Sequence, residues 1–398
     1  MDIVIHPRKL QGELTAIPSK SHAHRALICA AFSDRTTTIV CPETNKDIEA
    51  TVDCLRALGA NIQRNSDGYV VTPVASIPET ATLNCNESGS TLRFILPVVG
   101  ALGVNAVFQL AGRLPQRPLS PLWEEMERMG CILVREENGN LRCTGRLRAG
   151  QYSIAGNVSS QFISGLLFAL PMLDGNSSLK ITGNIESKPY IDLTLGVLSD
   201  FGVKWNGESI DSCFPFHSPE KLNVEGDWSN AAFFYVANDL GCNIAISGVQ
   251  TNSSQGDRAI VPILNSISEV STIDARDIPD LVPILSVAAA AHKGVTFTNI
   301  ARLRAKESDR VHSVMELLRA FGIRSASTEN TLTVFPGRFH GGTVDAMNDH
   351  RIAMAAAIAA VNADSNVTII GAQCVEKSYP AFWNEYRRLG GCYEQYIR

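Results

Sequence analysis

The feature of this sequence that most constrains its fold is an internal repeat. A helix-like segment that ends in an apolar residue followed by glycine recurs along the chain, and the glycines of neighbouring repeats are about 70 residues apart. These glycines are Gly59, Gly130, Gly202, Gly322 and Gly390. The period is longer than that of solenoid repeats, so it indicates a duplicated fold unit. Glycine is expected at the end of such a helix because the left-handed cap conformation penalises a β-carbon.

Each repeat also opens with a short polar turn, which is followed by an alanine-rich apolar helix, a strand and the glycine-ended helix. The fourth repeat, near residues 256–267, lacks the glycine cap. The six openings are Ser19-Lys-Ser21, Glu87-Ser-Gly-Ser90, Ser159-Ser-Gln161, Asp227-Trp-Ser229, Asp277-Ile-Pro-Asp280 and Asn348-Asp-His350.

Six units of βαβαββ type predict a mixed α/β (α+β) fold with two domains of three repeats each. Sheets would surround nearly all-apolar inner helices, as in an inside-out α/β barrel, and residues 353–361 are expected to be buried on every side. We place the first domain at residues 19–225 and the second at residues 1–18 and 226–398. The chain would then cross twice between the domains, which predicts a hinge.

Composition excludes several classes of protein. An apolar content of 45% and a charged content of 19% fit a globular chain. Ten scattered cysteines without a Cys-x-x-Cys pair fit a reducing cytoplasm. No signal peptide or apolar run of about 20 residues is present, and a net charge of −5 argues against nucleic-acid binding. We therefore expect a cytoplasmic protein with neither a membrane nor a nucleic-acid partner.

The openings are candidates for anion binding because helix N-termini present unpaired N–H groups and the positive end of the helix dipole. Any single lysine or arginine beside them could instead be a solvated surface charge. His22 and His24 do not indicate a metal, because an i, i+2 pair on a helix points in different directions. The basic residues near the openings are Lys20, Arg25, Arg93, Arg113, Arg117, Lys306, Arg310, Arg351 and Lys377.

Eight segments, in this order, carry most of these residues: Ile17-Pro-Ser-Lys-Ser-His-Ala-His-Arg25, Glu87-Ser-Gly-Ser-Thr-Leu-Arg93, Leu114-Pro-Gln-Arg-Pro118, Val158-Ser-Ser-Gln-Phe162, Ser187-Lys-Pro-Tyr-Ile-Asp192, Arg304-Ala-Lys-Glu-Ser-Asp-Arg310, Asn348-Asp-His-Arg351 and Lys377-Ser-Tyr-Pro380. The set spans nearly the whole chain and resembles the 5-enolpyruvylshikimate-3-phosphate (EPSP) synthase family of enolpyruvyl transferases. The resemblance implies transfer of the enolpyruvyl group of phosphoenolpyruvate to the 5-hydroxyl of shikimate 3-phosphate, through a tetrahedral addition–elimination intermediate of the shikimate pathway. It implies no cofactor, no metal, a monomeric enzyme and inhibition by glyphosate.

The resemblance also implies the site residues. Shikimate 3-phosphate would be bound by Lys20, Ser21, Arg25, Ser159, Ser160, Gln161, Ser187, Tyr190, Asp280 and Lys306. Phosphoenolpyruvate would be bound by Lys20, Gly89, Arg117, Gln161, Arg310, Arg351 and Lys377. The implied catalytic residues are Lys20, Asp280 and Glu307, with Glu307 assigned to the carbon-bound proton and Asp280 to the 5-hydroxyl.

Simpler structural roles stay open for several of these residues. Ser159 and Ser160 could only cap a helix, Gly89 could be a plain turn residue, and Glu307 could be an i, i+3 partner of Arg310.

Four positions depart from the pattern of the family. Glu87 stands where asparagine is usual, Ser90 where threonine is common, Phe94 where proline is frequent and Arg302 where asparagine is frequent. We expect Glu87 to turn toward Arg113 or Lys20, because an unpaired carboxylate would oppose an anionic substrate.

Two rival functions are weighed against this one. A UDP-N-acetylglucosamine enolpyruvyl transferase has the same repeated fold, but it typically carries a cysteine in the loop that corresponds to residues 112–118, and none is present here. An RNA 3′-terminal phosphate cyclase or nucleic-acid-end binder is built from similar units, but it would need a basic stripe with stacking aromatics. Only 7% of the residues are aromatic.

Overall fold

The structure is a computed structural model that describes residues 1–396. These residues form twelve α-helices, five of which are preceded or followed by a short 3-10 helix. The helices are α1 (Lys20–Ala31), α2 (Lys46–Ala57), α3 (Gly89–Leu102), α4 (Leu122–Arg128), α5 (Ser160–Ala169), α6 (Lys188–Asp200), α7 (Trp228–Asp239), α8 (Ile260–Ser266), α9 (Val282–Ala291), α10 (Arg310–Ala320), α11 (His350–Ala360) and α12 (Phe382–Arg388).

The strands of the described residues are β1 (Asp2–His6), β2 (Gln11–Thr15), β3 (Thr37–Val40), β4 (Asn61–Asn65), β5 (Gly68–Thr72), β6 (Thr80–Asn86), β7 (Asn105–Leu110), β8 (Cys131–Arg135), β9 (Leu141–Gly145), β10 (Gln151–Ala155), β11 (Ser177–Thr182), β12 (Ser209–Ile210), β13 (Lys221–Asn223), β14 (Asn243–Ser247), β15 (Thr272–Asp274), β16 (Val295–Thr298), β17 (Ser325–Ser327), β18 (Thr331–Val334), β19 (Gly342–Asp345), β20 (Val367–Ile370) and β21 (Cys392–Tyr396).

Contacts between residues divide the chain into two compact units. The first unit is Pro18–Glu225, and the second unit combines Met1–Ile17 with the chain from Gly226 onward. These limits differ from the predicted domain limits only in the placement of Pro18. Residues 397 and 398 of the predicted second domain lie outside the described residues. The hinge between the domains stays a prediction.

Three sheets in each unit reproduce the predicted repeat. In the first unit the strand orders are β13-β3-β5-β4, β6-β7-β9-β8 and β10-β11-β12. In the second unit they are β14-β2, β15-β16-β18-β17 and β19-β20-β1-β21. Every sheet contains one parallel pair, such as β6 with β7 or β15 with β16. In four sheets a single apolar helix, α3, α5, α9 or α11, connects the two strands of this pair, as a parallel connection requires. The pairs β3 with β13 and β2 with β14 instead join strands that are far apart in the sequence. The predicted fold class is confirmed.

The inner helices of each unit are buried on all sides, as their alanine-rich sequences predict. Every residue of α11 is buried, and so are nine of the ten residues of α9. Small side chains allow such close packing of helices with little loss of side-chain entropy. All five repeat glycines follow a helix with positive φ, between 76° and 116°, which confirms their role as caps. Within residues 1–396 no helix combines the length and apolar character needed to cross a membrane.

Candidate active site

The predicted openings all lie at or directly before the N-terminus of an inner helix. In five of them a serine or aspartate side chain caps the helix by accepting a backbone N–H; the caps are Ser19, Ser88, Ser159, Asp227 and Asp349. Ser159 thus has the simple capping role that the sequence left open, whereas Ser160 is the first residue of α5. Capping by serine leaves further N–H groups of the first turn available to a ligand.

In the first unit, Lys20 begins α1 and pairs with a carboxylate at the start of α2. Its Nζ lies 2.7 Å from Oδ2 of Asp47, and both side chains are more than four-fifths buried. Burial strengthens the attraction between the two charges and restricts the lysine to few rotamers. The pair therefore fixes Lys20 at the helix start.

Arg25 lies one turn further along α1 and joins that helix to α6. Its guanidinium donates to Thr194 Oγ1 at 2.8 Å, to the Ser21 carbonyl at 2.6 Å and to the Tyr190 carbonyl at 3.0 Å. It also lies 4.8 Å from the ring centre of Phe94, a cation–π distance. Arg25 thus brings together three of the residues that the sequence assigns to shikimate 3-phosphate.

Gly89, the first residue of α3, is the point that two arginines approach closely. A β-carbon at this position would lie 2.6 Å from Nη1 of Arg117 and 2.9 Å from Nη1 of Arg93. Such distances are well below a van der Waals contact, so only glycine fits without moving the arginines. The close approach of the two arginines therefore explains why position 89 is glycine more specifically than a plain turn does.

Arg93 then connects α3 to α5 through Gln161. Its Nη1 donates to Oε1 of Gln161 at 2.8 Å, and the Gln161 amide donates to Ser90 Oγ at 2.9 Å. We call these three residues, together with Lys20, Arg25, Gly89 and Arg117, the first-unit cluster.

In the second unit, Arg310 is the centre of a buried charge network. Its side chain is 1% exposed and contacts three carboxylates. The distances are 3.0 Å to Asp349, 2.7 Å to Asp280 and 2.5 Å to Glu307. Arg351 donates to the other carboxylate oxygen of Asp280 at 3.0 Å, and Lys306 Nζ lies 3.7 Å from Asp280. We call these six residues the second-unit cluster.

The pKa values in this cluster follow from burial and charge. Burial opposes ionisation of Asp280, but Arg351, Lys306 and Arg310 together hold the pKa of its carboxyl well below the usual value. Burial is also the largest influence on Lys306 and, despite the attraction of Asp280, lowers the pKa of its ammonium to about 8. At neutral pH Asp280 is thus a carboxylate, and Lys306 is a cation that loses its proton in mildly basic solution.

Glu307 and Lys377 lie on short segments next to this network. Glu307 precedes α10 and pairs with Arg310 at i, i+3, so the simple pairing left open by the sequence is present. Lys377 donates to the carbonyl of Asn348, directly before the cap of α11, at 2.8 Å. Arg302 donates to the carbonyl of Arg276 at 2.8 Å, and its charge is among the influences that lower the pKa of Lys306.

The structure groups the predicted residues by unit. Lys20, Ser21, Arg25, Gly89, Arg117, Ser159, Ser160, Gln161, Ser187 and Tyr190 belong to the first unit, and Asp280, Lys306, Glu307, Arg310, Arg351 and Lys377 belong to the second. Within residues 1–396 no group of three or more His, Cys, Asp or Glu side chains is arranged to hold a metal ion.

No substrate-binding or catalytic assignment was made for three residues that the structure places in contact with these groups, although Arg93 was counted among the basic residues near the openings. They are Asp47, which pairs with Lys20, Asp349, which pairs with Arg310, and Arg93, which contacts Gln161. Asp349 and Arg93 stand inside the quoted segments, so their position next to a helix start was an available signal. Asp47 had none.

Comparison with solved structures defines the class of fold. An EPSP synthase from Acinetobacter baumannii superposes with a TM-score of 0.79 at 24% identity, covering 99% of this chain and 100% of that one. The enolpyruvyl transferase NikO from Streptomyces tendae gives a TM-score of 0.75 at 18% identity, covering 99% and 98%. The fold is therefore that of the enolpyruvyl transferases.

Sequence comparison specifies the family. The profile of EPSP synthase (3-phosphoshikimate 1-carboxyvinyltransferase) matches residues 4–386. A protein of that name from Clostridium acetobutylicum is 40% identical, and one from Clostridium kluyveri is 38% identical; each alignment covers 98% of this chain and 97% of the relative. The chain belongs to the EPSP synthase family, and the predicted family and transferase class are confirmed.

Proposed function

We propose that this enzyme transfers the enolpyruvyl group of phosphoenolpyruvate to the 5-hydroxyl of shikimate 3-phosphate and releases phosphate. The observation that carries the proposal is the second-unit cluster, in which Lys306, Arg310 and Arg351 are held by three buried or half-buried carboxylates. Fixed cations supply charge-assisted hydrogen bonds to anionic groups, and neighbouring carboxylates can accept protons.

Shikimate 3-phosphate is assigned to the helix starts of the first unit. The hydroxyls and N–H groups of Ser159 and Ser160 are donors at the N-terminus of α5, where a phosphate is favoured. Arg25 supplies a guanidinium already oriented by three protein acceptors. Ser21, Gln161, Ser187, Tyr190, Asp280 and Lys306 complete the proposed set.

Phosphoenolpyruvate carries a phosphate and a carboxylate and therefore needs several cations. Arg117, Arg310 and Arg351 offer planar pairs of N–H groups that match such oxygens. Lys20 and Lys377 add charges, while the absence of a β-carbon at Gly89 lets the Arg117 guanidinium approach the start of α3.

The proposed chemistry has two steps. In the addition, C3 of phosphoenolpyruvate gains a proton while C2 bonds to the 5-oxygen, which loses its own proton. In the elimination, C3 loses a proton and the bond between C2 and the phosphate oxygen breaks. We assign Glu307 to the proton at C3 and Asp280 to the 5-hydroxyl, since the low pKa of Asp280 keeps it an acceptor. Lys20, held by Asp47, stabilises the charge that develops.

The test is phosphate release by the purified full chain, supplied with phosphoenolpyruvate and one acceptor. Shikimate 3-phosphate should support turnover, whereas shikimate without its phosphate and UDP-N-acetylglucosamine should not. Lys20→Met and Glu307→Gln should each lower kcat by roughly 10² to 10⁴, and Glu307→Gln should do so with little change in shikimate 3-phosphate binding. Turnover with UDP-N-acetylglucosamine, or normal kcat in both variants, would contradict the assignment.

We further propose that glyphosate occupies the phosphoenolpyruvate residues and that Glu87 weakens it. Glu87 lies over Gly112, where a β-carbon would be 2.6 Å from its Cδ, on the loop that leads to Arg113 and Arg117. An unpaired like charge near an anion would cost about 4 kcal/mol at 4 Å and a dielectric of about 20, so we expect Glu87 to turn toward Arg113 or Lys20 and to withdraw part of their positive field from the substrate. Glu87→Asn should therefore lower the KM for phosphoenolpyruvate and the glyphosate inhibition constant, with little change for shikimate 3-phosphate. Unchanged or higher constants would show that Glu87 is neutral or supportive.

The enzyme is further proposed to act as a monomer in the cytoplasm without a nucleic-acid partner. A net charge of −5 disfavours a polyanion. Sedimentation at working concentration tests the monomeric state, and a gel shift with RNA tests the absence of a nucleic-acid partner. A stable dimer or salt-sensitive RNA binding would contradict these two proposals.

A further inference from the structure

Gln161 is a side chain whose amide can present either its carbonyl oxygen or its NH2 group to a ligand, and these two ends have opposite hydrogen-bonding character. In this structure the carbonyl Oε1 accepts from Nη1 of Arg93 at 2.8 Å, and the amide Nε2 donates to Oγ of Ser90 at 2.9 Å. Both ends of the amide are therefore engaged by the protein.

Arg93 permits only one of the two amide orientations. A guanidinium has five N–H donors and no acceptor, so only an oxygen can face it. Rotating the Gln161 amide by half a turn would place two donors against each other and lose a charge-assisted hydrogen bond. Arg93 is itself held, because it is 4% exposed, donates to the Pro118 carbonyl at 3.2 Å and lies 5.6 Å from the ring centre of Phe162.

We infer that Arg93 is a positioning residue that fixes the Gln161 amide with its NH2 group toward the ligand. One amide hydrogen goes to Ser90, and the other is then directed to an acceptor oxygen of a bound substrate. Gln161 is specific for acceptor atoms at that point, such as an ether, carboxylate or phosphate oxygen. The inference rests on the proposed function in one respect, namely that Gln161 contacts a substrate.

A double-mutant cycle tests whether Arg93 acts through Gln161. Arg93→Met and Gln161→Met should each raise the KM for shikimate 3-phosphate, for phosphoenolpyruvate or for both by about ten- to a hundredfold. The KM of the double variant should be no higher than that of Gln161→Met alone. Multiplying effects in the double variant would overturn the inference, because they would mean that Arg93 acts independently of Gln161.

Gln161→Glu is the matched control, because it keeps an oxygen for Arg93 but removes the donor that would face the substrate. It should raise KM at least as much as Gln161→Met. Arg93→Lys should recover part of the affinity lost in Arg93→Met, since an ammonium can still donate to the Gln161 carbonyl. Wild-type KM in Gln161→Glu would refute the need for a donor.

A readout without substrate separates this inference from the proposed function. In the ¹⁵N-labelled full chain, the side-chain amide signals of Gln161 are identified by their loss in Gln161→Met. In the wild type the hydrogen-bonded amide should give signals displaced from those of solvent-exposed glutamines, and these should shift or broaden in Arg93→Met while other glutamine signals stay in place. Identical Gln161 signals in both proteins would overturn the positioning role even if the enzyme is fully active.

Discussion

Replacing Asp349 by asparagine tests the second-unit cluster at its most buried carboxylate. Asp349 is 0% exposed and accepts from Arg310 Nε at 3.0 Å and from Ser308 Oγ at 3.0 Å. Its other oxygen caps α11 through the backbone N–H of Arg351 at 3.0 Å. Asparagine has the same size and is also a good helix cap, so the substitution removes mainly the negative charge beside Arg310.

The size of the effect follows from what Arg310 retains. Removing one partner of a buried ion pair typically costs about 3–5 kcal/mol. Arg310 keeps Asp280 and Glu307 at 2.7 and 2.5 Å, so we expect the lower end, about 3 kcal/mol. A unit of this size loses roughly 2–4 °C in Tm per kcal/mol. The second unit should therefore unfold about 6–12 °C lower.

Thermal unfolding of Asp349→Asn and of Asp345→Asn gives the comparison. Asp345 precedes the same helix and also accepts a backbone N–H, from Met347 at 2.7 Å, but it is exposed. The Asp345 variant should change Tm by no more than about 2 °C, because surface substitutions have small effects. If the two variants unfold together, the buried pair does not stabilise the unit as argued.

Three further predictions concern the substrates. Because Lys306 has a pKa of about 8 and is charged only below it, the KM for shikimate 3-phosphate should rise as pH increases through 8 to 9, whereas Lys306→Arg should show no rise there. Gly89→Ala should raise the KM for phosphoenolpyruvate about tenfold or more, since its β-carbon would displace Arg117; an unchanged KM would mean that the arginine moves freely. Asp47→Asn should lower kcat about tenfold with a smaller change in KM, because Lys20 loses its charged partner. Asp53 lies on an exposed face of α2, and an equal loss of kcat in Asp53→Asn would mean that the effect of Asp47→Asn is not specific to Lys20.

The fold could be predicted because its signals are local. Helix-ending glycines such as Gly59 and Gly322 need positive φ and have it in the structure, and serine or aspartate caps mark the starts of inner helices. A repeat of about 70 residues then fixed the number of units. The placement of β2 beside β14 and of β13 beside β3 was not predictable in this way, since strand pairing depends on contacts far apart in sequence.

The site was predicted less completely for a physical reason. The sequence indicated helix starts with many cations and therefore an excess of positive charge. In the second-unit cluster, however, the three cations Lys306, Arg310 and Arg351 contact carboxylates of the same unit, and Asp280 alone contacts all three. Such pairings depend on tertiary distances, as in the pair between Lys20 and Asp47, which are 27 residues apart.

This balance of charge changes how anion binding should be understood. Three carboxylates around Arg310 cancel much of the attraction that its charge would exert at a distance. They also keep the guanidinium in one orientation, so that it need not reorganise when a substrate arrives. Preorganised donors are worth more at a reacting centre than mobile charges of the same number. Affinity in this enzyme should therefore depend more on the direction of its N–H groups than on net charge.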